Sequence, residues 1–303
     1  MNNVILKSIE KEKRELDTWA AKRQKEVAFP EQVSELRNIP YKHDHNARHR
    51  MDIYRPKRSV NTADSPEKLP VIVDVHGGGL LMGDKEMNRP FCAWMASQGF
   101  LVFNVEYSLV PAVTVYQQFA ELSAALDVID HNLDSYGGDR SRVYLVGDSA
   151  GAYLITYTVA MQQNNALAKA AGVRPSWLSI YAVGLLSGMY YTDRPDKIGL
   201  FLPKLFYGEH YKKSPFAPYT NPEHPDIVRN LPPCFLVTSR QDHLRRYTLD
   251  FAAALRKNHL PHQLVDLPKN KKLIHAFSAL YPELEESITV NRQMLDFLLQ
   301  HGM

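Results

Sequence analysis

The stretch Val143-Tyr-Leu-Val-Gly147-Asp148-Ser149-Ala150-Gly151-Ala152 reads as three pieces: an apolar strand, a tight turn and the start of a helix. A serine at the apex of such a strand–turn–helix is the context of a nucleophile elbow. The reason is steric. Small residues two before and two after the serine let neighbouring backbone approach, and the sharp turn exposes the hydroxyl. The turn also sets that hydroxyl at a helix N-terminus, where partial positive charge favours a developing anion.

Outward from this stretch the same alternation recurs. Apolar, β-branched runs at Pro70–His76, Phe100–Tyr107, Trp177–Val183, Cys234–Ser239 and Gln263–Leu267 predict strands. Helical patterns at 87–98, 115–134, 149–165, 246–258 and 284–300 separate them. Near-continuous apolar strands alternating with helices imply a parallel sheet covered on both faces. Two short segments at 38–42 and 50–55, joined by a polar turn, add an antiparallel hairpin at the start. The expected class is α/β, a mostly parallel sheet with an antiparallel N-terminal hairpin and helices on both faces. Residues 1–40 form an N-terminal helical arm, in which Ile5, Ile9, Leu16, Trp19 and Ala20 mark a helix over 4–27 that packs on the rest of the protein. Residues 41–303 form the main domain. The segment 184–232, rich in Tyr, Pro and Lys, interrupts it as a lid or cap insertion.

A nucleophilic serine needs a base, an orienting acid and donors for an oxyanion. His76-Gly77-Gly78-Gly79 follows the strand Val71–Val75, where an oxyanion loop is expected upstream of an elbow. Glycines carry no side chain to block their N–H groups. Downstream, acid precedes histidine. Asp242 lies just past the strand Cys234–Ser239, and His275 lies between Leu264–Leu267 and the final helix. Asp266 lies inside a strand and is a poorer acid. His243, His259 and His262 precede the last strand, on the wrong side of it for a base. Asp148 neighbours the serine and belongs to the hydrogen-bond network beneath the elbow.

These motifs resemble the hormone-sensitive-lipase-like esterases of the α/β-hydrolase superfamily. The residues that carry the likeness are His76-Gly-Gly-Gly-Leu-Leu-Met-Gly83 and Tyr136-Gly-Gly-Asp-Arg-Ser-Arg-Val143 leading into Gly147-Asp-Ser-Ala-Gly151. The resemblance covers roughly residues 40–303. It implies the α/β-hydrolase fold with a helical cap, and a carboxylesterase acting on short acyl chains, acetyl to about hexanoyl, or on aryl esters. It makes Ser149 the nucleophile, Asp242 the acid, His275 the base, and the N–H groups of Gly78, Gly79 and Ala150 the oxyanion donors. The chain departs from the family pattern at several places. Asp242-His-Leu-Arg-Arg246 stands for Asp-Pro-Leu-Arg-Asp, His275-Ala-Phe277 for His-Gly-Phe, Tyr107-Ser-Leu-Val-Pro111 for Tyr-Arg-Leu-Ala-Pro, and Ala152-Tyr153 for Gly-Asn. Two other readings use the same scaffold: a small-molecule binding protein, and an amidase or lactonase. Receptors of this branch have lost the catalytic histidine, whereas His275 is in place here. The aromatic residues Tyr190, Tyr191, Phe201, Phe206, Tyr207 and Tyr211 of the insertion divide between packing and an apolar acyl or aryl pocket.

Composition agrees with a small-molecule enzyme. With 36 basic and 33 acidic residues among 303, the net charge of +3 gives no basis for nucleic-acid binding. Cys92 and Cys234 sit among apolar neighbours and read as buried, reduced thiols. The first residues lack the apolar core of about 7–15 residues that a signal peptide needs. No run approaches the roughly 18 apolar residues of a membrane span. The expectation is a soluble, cytoplasmic protein with no stable membrane anchor. Its partner is a small ester substrate, and homodimer formation stays open. The run Lys42-His-Asp-His-Asn-Ala-Arg-His49 matches no metal spacing and reads as a polar hairpin turn. Neither cofactor nor metal is expected.

Overall fold

The computed structural model describes residues 3–57 and 67–302, and its frame is one eight-stranded sheet. The strands are β1 (Val33–Pro40), β2 (Arg50–Pro56), β3 (Leu69–Val75), β4 (Leu101–Val105), β5 (Gly138–Asp148), β6 (Ala182–Leu186), β7 (Cys234–Ser239) and β8 (His262–Leu267). Their order across the sheet is β1-β2-β4-β3-β5-β6-β7-β8. The pairs β1–β2 and β2–β4 are antiparallel, and every other neighbouring pair is parallel. This is the expected class: an α/β-hydrolase fold with an antiparallel start.

Helices cover both faces. On one side lie α2 (Arg89–Ser97), the short α10 (Phe277–Leu280) and α11 (Glu285–Gln300); on the other lie α3 (Val115–Asn132), α4 (Ala150–Gln163) and α9 (Arg245–Lys257). The strand residues divide between them with period two. Val71, Val73 and Val75 join the core beneath α3 and α4, while Ile72 joins the core beneath α2 and α11. That is why β3 reads as an unbroken apolar run. Helix α4 is buried at every position from Ala150 to Met161, so its sequence is apolar all round.

Three expectations shift. The sixth strand is Ala182–Leu186 rather than Trp177–Val183: Trp177 is 90% exposed, and Gly184, which looks like a strand end, is where Met294 of α11 packs onto the sheet. The insertion therefore begins after Leu186. It holds the short helices α6 (Lys197–Phe201), α7 (Pro203–Tyr207) and α8 (Pro225–Val228). The first strand begins at Val33 rather than 38. Within the expected arm 1–40 only α1 (Asn3–Glu26) is helical, and residues 1 and 2 lie outside the described residues. The helix expected over 149–165 ends at Gln163, where Asn164 caps a further helix, α5 (Asn165–Ala171), by accepting from Leu167 N.

The arm is tied down near the chain's end. Trp19 Nε1 donates to Tyr281 Oη at 3.1 Å, and Arg23 pairs with Glu283 at 2.5 Å while lying over the Tyr281 ring. The aromatic residues of the insertion mostly pack. Tyr190, Tyr191, Phe206 and Tyr207 are buried, whereas Phe201 is 56% exposed. Tyr207 Oη bridges Tyr153 Oη (2.6 Å) and Thr192 Oγ1 (2.7 Å), which joins α4 to the insertion. Among the described residues no helix is long and apolar enough to cross a membrane.

Candidate active site

Ser149 stands between the end of β5 and the first turn of α4, with φ 50° and ψ −112°. Such a conformation is costly for any residue with a Cβ and persists only where the surroundings hold it. Here three backbone bonds do so. Ser149 N donates to Leu186 O at 2.8 Å, and Ser149 O accepts from Met189 N (2.9 Å) and Tyr153 N (3.3 Å). The elbow is therefore clamped to the end of β6 as well as to its own helix.

His275 and Asp242 come to it from the ends of β8 and β7. His275 Nε2 lies 2.9 Å from Ser149 Oγ, and His275 Nδ1 lies 2.7 Å from Asp242 Oδ1. A carboxylate only accepts, so the proton sits on Nδ1 and leaves the Nε2 lone pair facing the serine hydroxyl. Both oxygens of Asp242 are held: Leu244 N donates to Oδ1 at 2.8 Å and Thr238 Oγ1 to Oδ2 at 3.0 Å. Burial pushes the Asp242 carboxyl up. The His275 imidazole, the Ser187 hydroxyl and the Leu244 N–H outweigh that and hold it below the ordinary range. The carboxylate is thus ionised wherever the imidazole can act as a base.

The glycine loop lies alongside. Its start is anchored: the His76 ring stacks on Tyr107 at 4.3 Å, and Tyr107 Oη donates to His76 O at 2.8 Å. At Gly78, φ is 108° and an added Cβ would stand 2.0 Å from Met82 O, so only glycine fits the turn. The N–H groups of Gly78, Gly79 and Ala150 find no acceptor among the described residues, although Ala150 is fully buried. Unpaired backbone amides are rare in a packed structure, and these three are free to donate to an oxygen placed beside Ser149.

Beneath the loop sits a buried pair of carboxylates. Asp148 Oδ1 accepts from Gly77 N (3.0 Å) and from Asn88 Nδ2 (2.9 Å), and the same Asn88 nitrogen lies 3.0 Å from Asp74 Oδ2. Asp148 therefore props the glycine loop from beneath, within the hydrogen-bond network under the elbow. Burial, aided by the neighbouring Asp148 charge, pushes Asp74 up to about 7. A carboxyl raised on folding binds a proton that the unfolded chain has released. Stability is then greatest below the unfolded value of 3.8 and declines as pH rises toward 7. Asp74→Asn keeps the acceptor for Asn88 and removes this loss. Its melting temperature at pH 8 is expected to exceed that of the wild type, by about 2–4 °C per kcal/mol relieved, with the gap closing toward pH 4. Parallel melting curves of the two proteins at every pH would refute the assignment.

The other sequence candidates go elsewhere. Asp266 pairs with Arg245 through both oxygens, at 2.9 and 2.6 Å. In the run 42–49, His49 is buried with Nδ1 2.7 Å from Asp44 and Nε2 3.0 Å from Glu121, so that turn is stapled to α3. Cys92 and Cys234 are buried free thiols. One placement is a correction: His243, expected on the wrong side of the last strand, lies beside His275. Its ring centroid lies 4.4 Å from that of His275, because the turn after Asp242 carries it under the histidine loop. Sequence reasoning also missed Ser187. This buried residue, with φ 50°, accepts from Ala276 N at 3.1 Å and also bonds Asp242, so it couples the acid to the histidine loop. Ala276 is itself left-handed at φ 55°, where the family pattern has glycine.

Comparison with known proteins places this geometry in context. The family model described as the alpha/beta hydrolase fold matches residues 72–279. A "Probable isoprenylcysteine alpha-carbonyl methylesterase" of Arabidopsis thaliana is 27% identical over 205 residues, covering 65% of this chain and 42% of that protein. The chain spans about half the length of the curated relatives it matches. Among solved structures, esterase B of Lactobacillus rhamnosis inhibited by a C4-C4 tributyrin phosphonate superposes with a TM-score of 0.90 at 24% identity, over 98% of this chain and 95% of that one. A bacterial heroin esterase superposes with a TM-score of 0.70 at 22% identity, over 97% and 92%.

Proposed function

The chain belongs to the hormone-sensitive-lipase-like family of the α/β-hydrolase fold, and on that premise we propose that it is a serine carboxylesterase for short acyl or aryl esters. The observation that carries this is the unbroken line Ser149–His275–Asp242, at 2.9 and 2.7 Å, beside three amide donors that find no acceptor among the described residues. In the proposed cycle, His275 Nε2 takes the Ser149 proton as Oγ attacks the ester carbonyl. The carbonyl oxygen gains the electron pair and is held by the N–H groups of Gly78, Gly79 and Ala150, at the positive end of α4. His275 then gives the proton to the departing alcohol. Water, deprotonated by the same nitrogen, releases the acid from the acyl-enzyme. Asp242 keeps the imidazole in its tautomer and stabilises the imidazolium.

The short-acyl preference draws on the relatives. Esterase B accepts a phosphonate bearing four-carbon chains, and the plant relative is named a methylesterase. Ser149 is 7% exposed, so little of the serine is open to solvent. The test is hydrolysis of p-nitrophenyl esters from acetate to palmitate. Activity is expected to be highest from acetate to hexanoate and to fall steeply beyond. A flat profile, or a maximum at palmitate, would reject the short-acyl pocket. A folded protein inactive on every ester would reject the esterase reading and favour a binding protein on the same scaffold.

A further inference from the structure

We propose that Asp242, His243 and His275 form an inhibitory site for a borderline divalent cation such as Zn²⁺. The observation is geometric. One ligand atom from each of the three side chains lies within 4.8 Å of the other two, among a buried carboxylate, an exposed imidazole and a half-buried one. Zn²⁺ bonds imidazole nitrogen and carboxylate oxygen at about 2.0–2.2 Å, which sets two donors on one ion roughly 3.4 Å apart. The Asp242–His275 pair at 2.7 Å therefore opens slightly, and the widest of the three separations, at most 4.8 Å, closes by about 1.4 Å. His243 is exposed and its side chain is free to make that adjustment. It stands where the family pattern has proline, so the second imidazole is a feature of this chain and not of the catalytic apparatus.

The ring centroids of His243 and His275 stand 4.4 Å apart beside the Asp242 carboxylate, which supplies the negative charge a cation needs.

The consequence for catalysis follows from the tautomer. Asp242 faces the Nδ1 side of His275, so a cation shared with that carboxylate bonds Nδ1. The proton of the neutral ring must then move from Nδ1 to Nε2. Nε2 becomes a donor toward Ser149 Oγ and can no longer accept its proton. The ion thus switches off the base without touching the serine. This consequence rests on the esterase reading; the binding itself does not.

The experiment is calorimetric titration of wild type and His243→Gln with Zn²⁺ alone, alongside inhibition of p-nitrophenyl acetate hydrolysis and its reversal by a chelator. One ion per chain is expected on the wild type, with binding and inhibition both weakened in the variant by at least about tenfold, since even an outer-shell partner is commonly worth 10–100-fold in metal affinity. Absence of binding by the wild type, or equal binding by the variant, overturns the site. Binding that leaves hydrolysis untouched overturns the role of His275. If the protein has no esterase activity, the calorimetric comparison still decides the site, so the two failures are read separately.

Discussion

Ser149→Ala is expected to lower kcat/KM on p-nitrophenyl acetate by about 10⁴–10⁶-fold while leaving the fold intact. The substitution removes the attacking oxygen and one hydrogen bond, the 2.9 Å contact with His275 Nε2. Everything that shapes the elbow is backbone: the bonds from Ser149 N to Leu186 O, and to Ser149 O from Met189 N and Tyr153 N. Alanine can make all of these. It occupies φ 50° at the same cost as serine, so the melting temperature is expected to change by no more than a few degrees. What survives is the amide pocket and the polarising helix end, which alone give a residual rate above that of water. Groups that act as a unit are not additive. His275→Ala is therefore expected to cost about as much as Ser149→Ala, and the double variant hardly more than either. A Ser149→Ala protein retaining a tenth of wild-type activity would show that another group is the nucleophile, and the proposed mechanism would fall with it.

Which parts of this site could be read without the fold depended on how local their causes are. The elbow was legible because its constraints are carried by adjacent residues: an apolar strand, small residues around a serine, then a helix. The glycine loop was legible for the same reason. Asp242 and His275 were legible only through chain order, since strands that end on one edge of a parallel sheet deliver their following loops to the same place. The residues missed depend on contacts between loops distant in sequence. Nothing adjacent to Ser187 announces that the end of β6 will meet Ala276 N, 89 residues later. The strand that follows His243 in the chain puts it on the wrong side for a base, but the turn that carries Asp242, its direct neighbour, sets it beside His275. The displaced sixth strand has a similar origin. Gly184 breaks the apolar pattern of Ala182–Leu186, and its reason is Met294 on a helix more than a hundred residues downstream.

Gly151→Ala tests the fold where it bears on the chemistry, and it is expected to cost at least about 3 kcal/mol of stability. A Cβ at this position would stand 1.8 Å from Val75 O, 2.7 Å from Val75 C and 2.9 Å from His76 O. All three are backbone atoms, so no rotamer change relieves the contact. Either α4 must tilt off the sheet or the end of β3 must move. The second route breaks the parallel register of Val75 with Gly147 and drags the loop that begins at His76. The first carries Ser149 and Ala150 N together away from the glycine loop. Both separate Oγ from the amides of Gly78 and Gly79, and a displacement of about 1 Å between reacting groups is worth about 10² in rate. The expected result is a fall in melting temperature of at least about 6 °C, at 2–4 °C per kcal/mol, with kcat down about a hundredfold in whatever protein remains folded. Wild-type stability with lost activity would mean that the loop yields while the sheet holds, which favours displacement at His76. Lost stability with full activity in the folded fraction would mean that the close packing of α4 on β3 serves the fold alone, and the steric link between elbow and oxyanion loop would have to be given up.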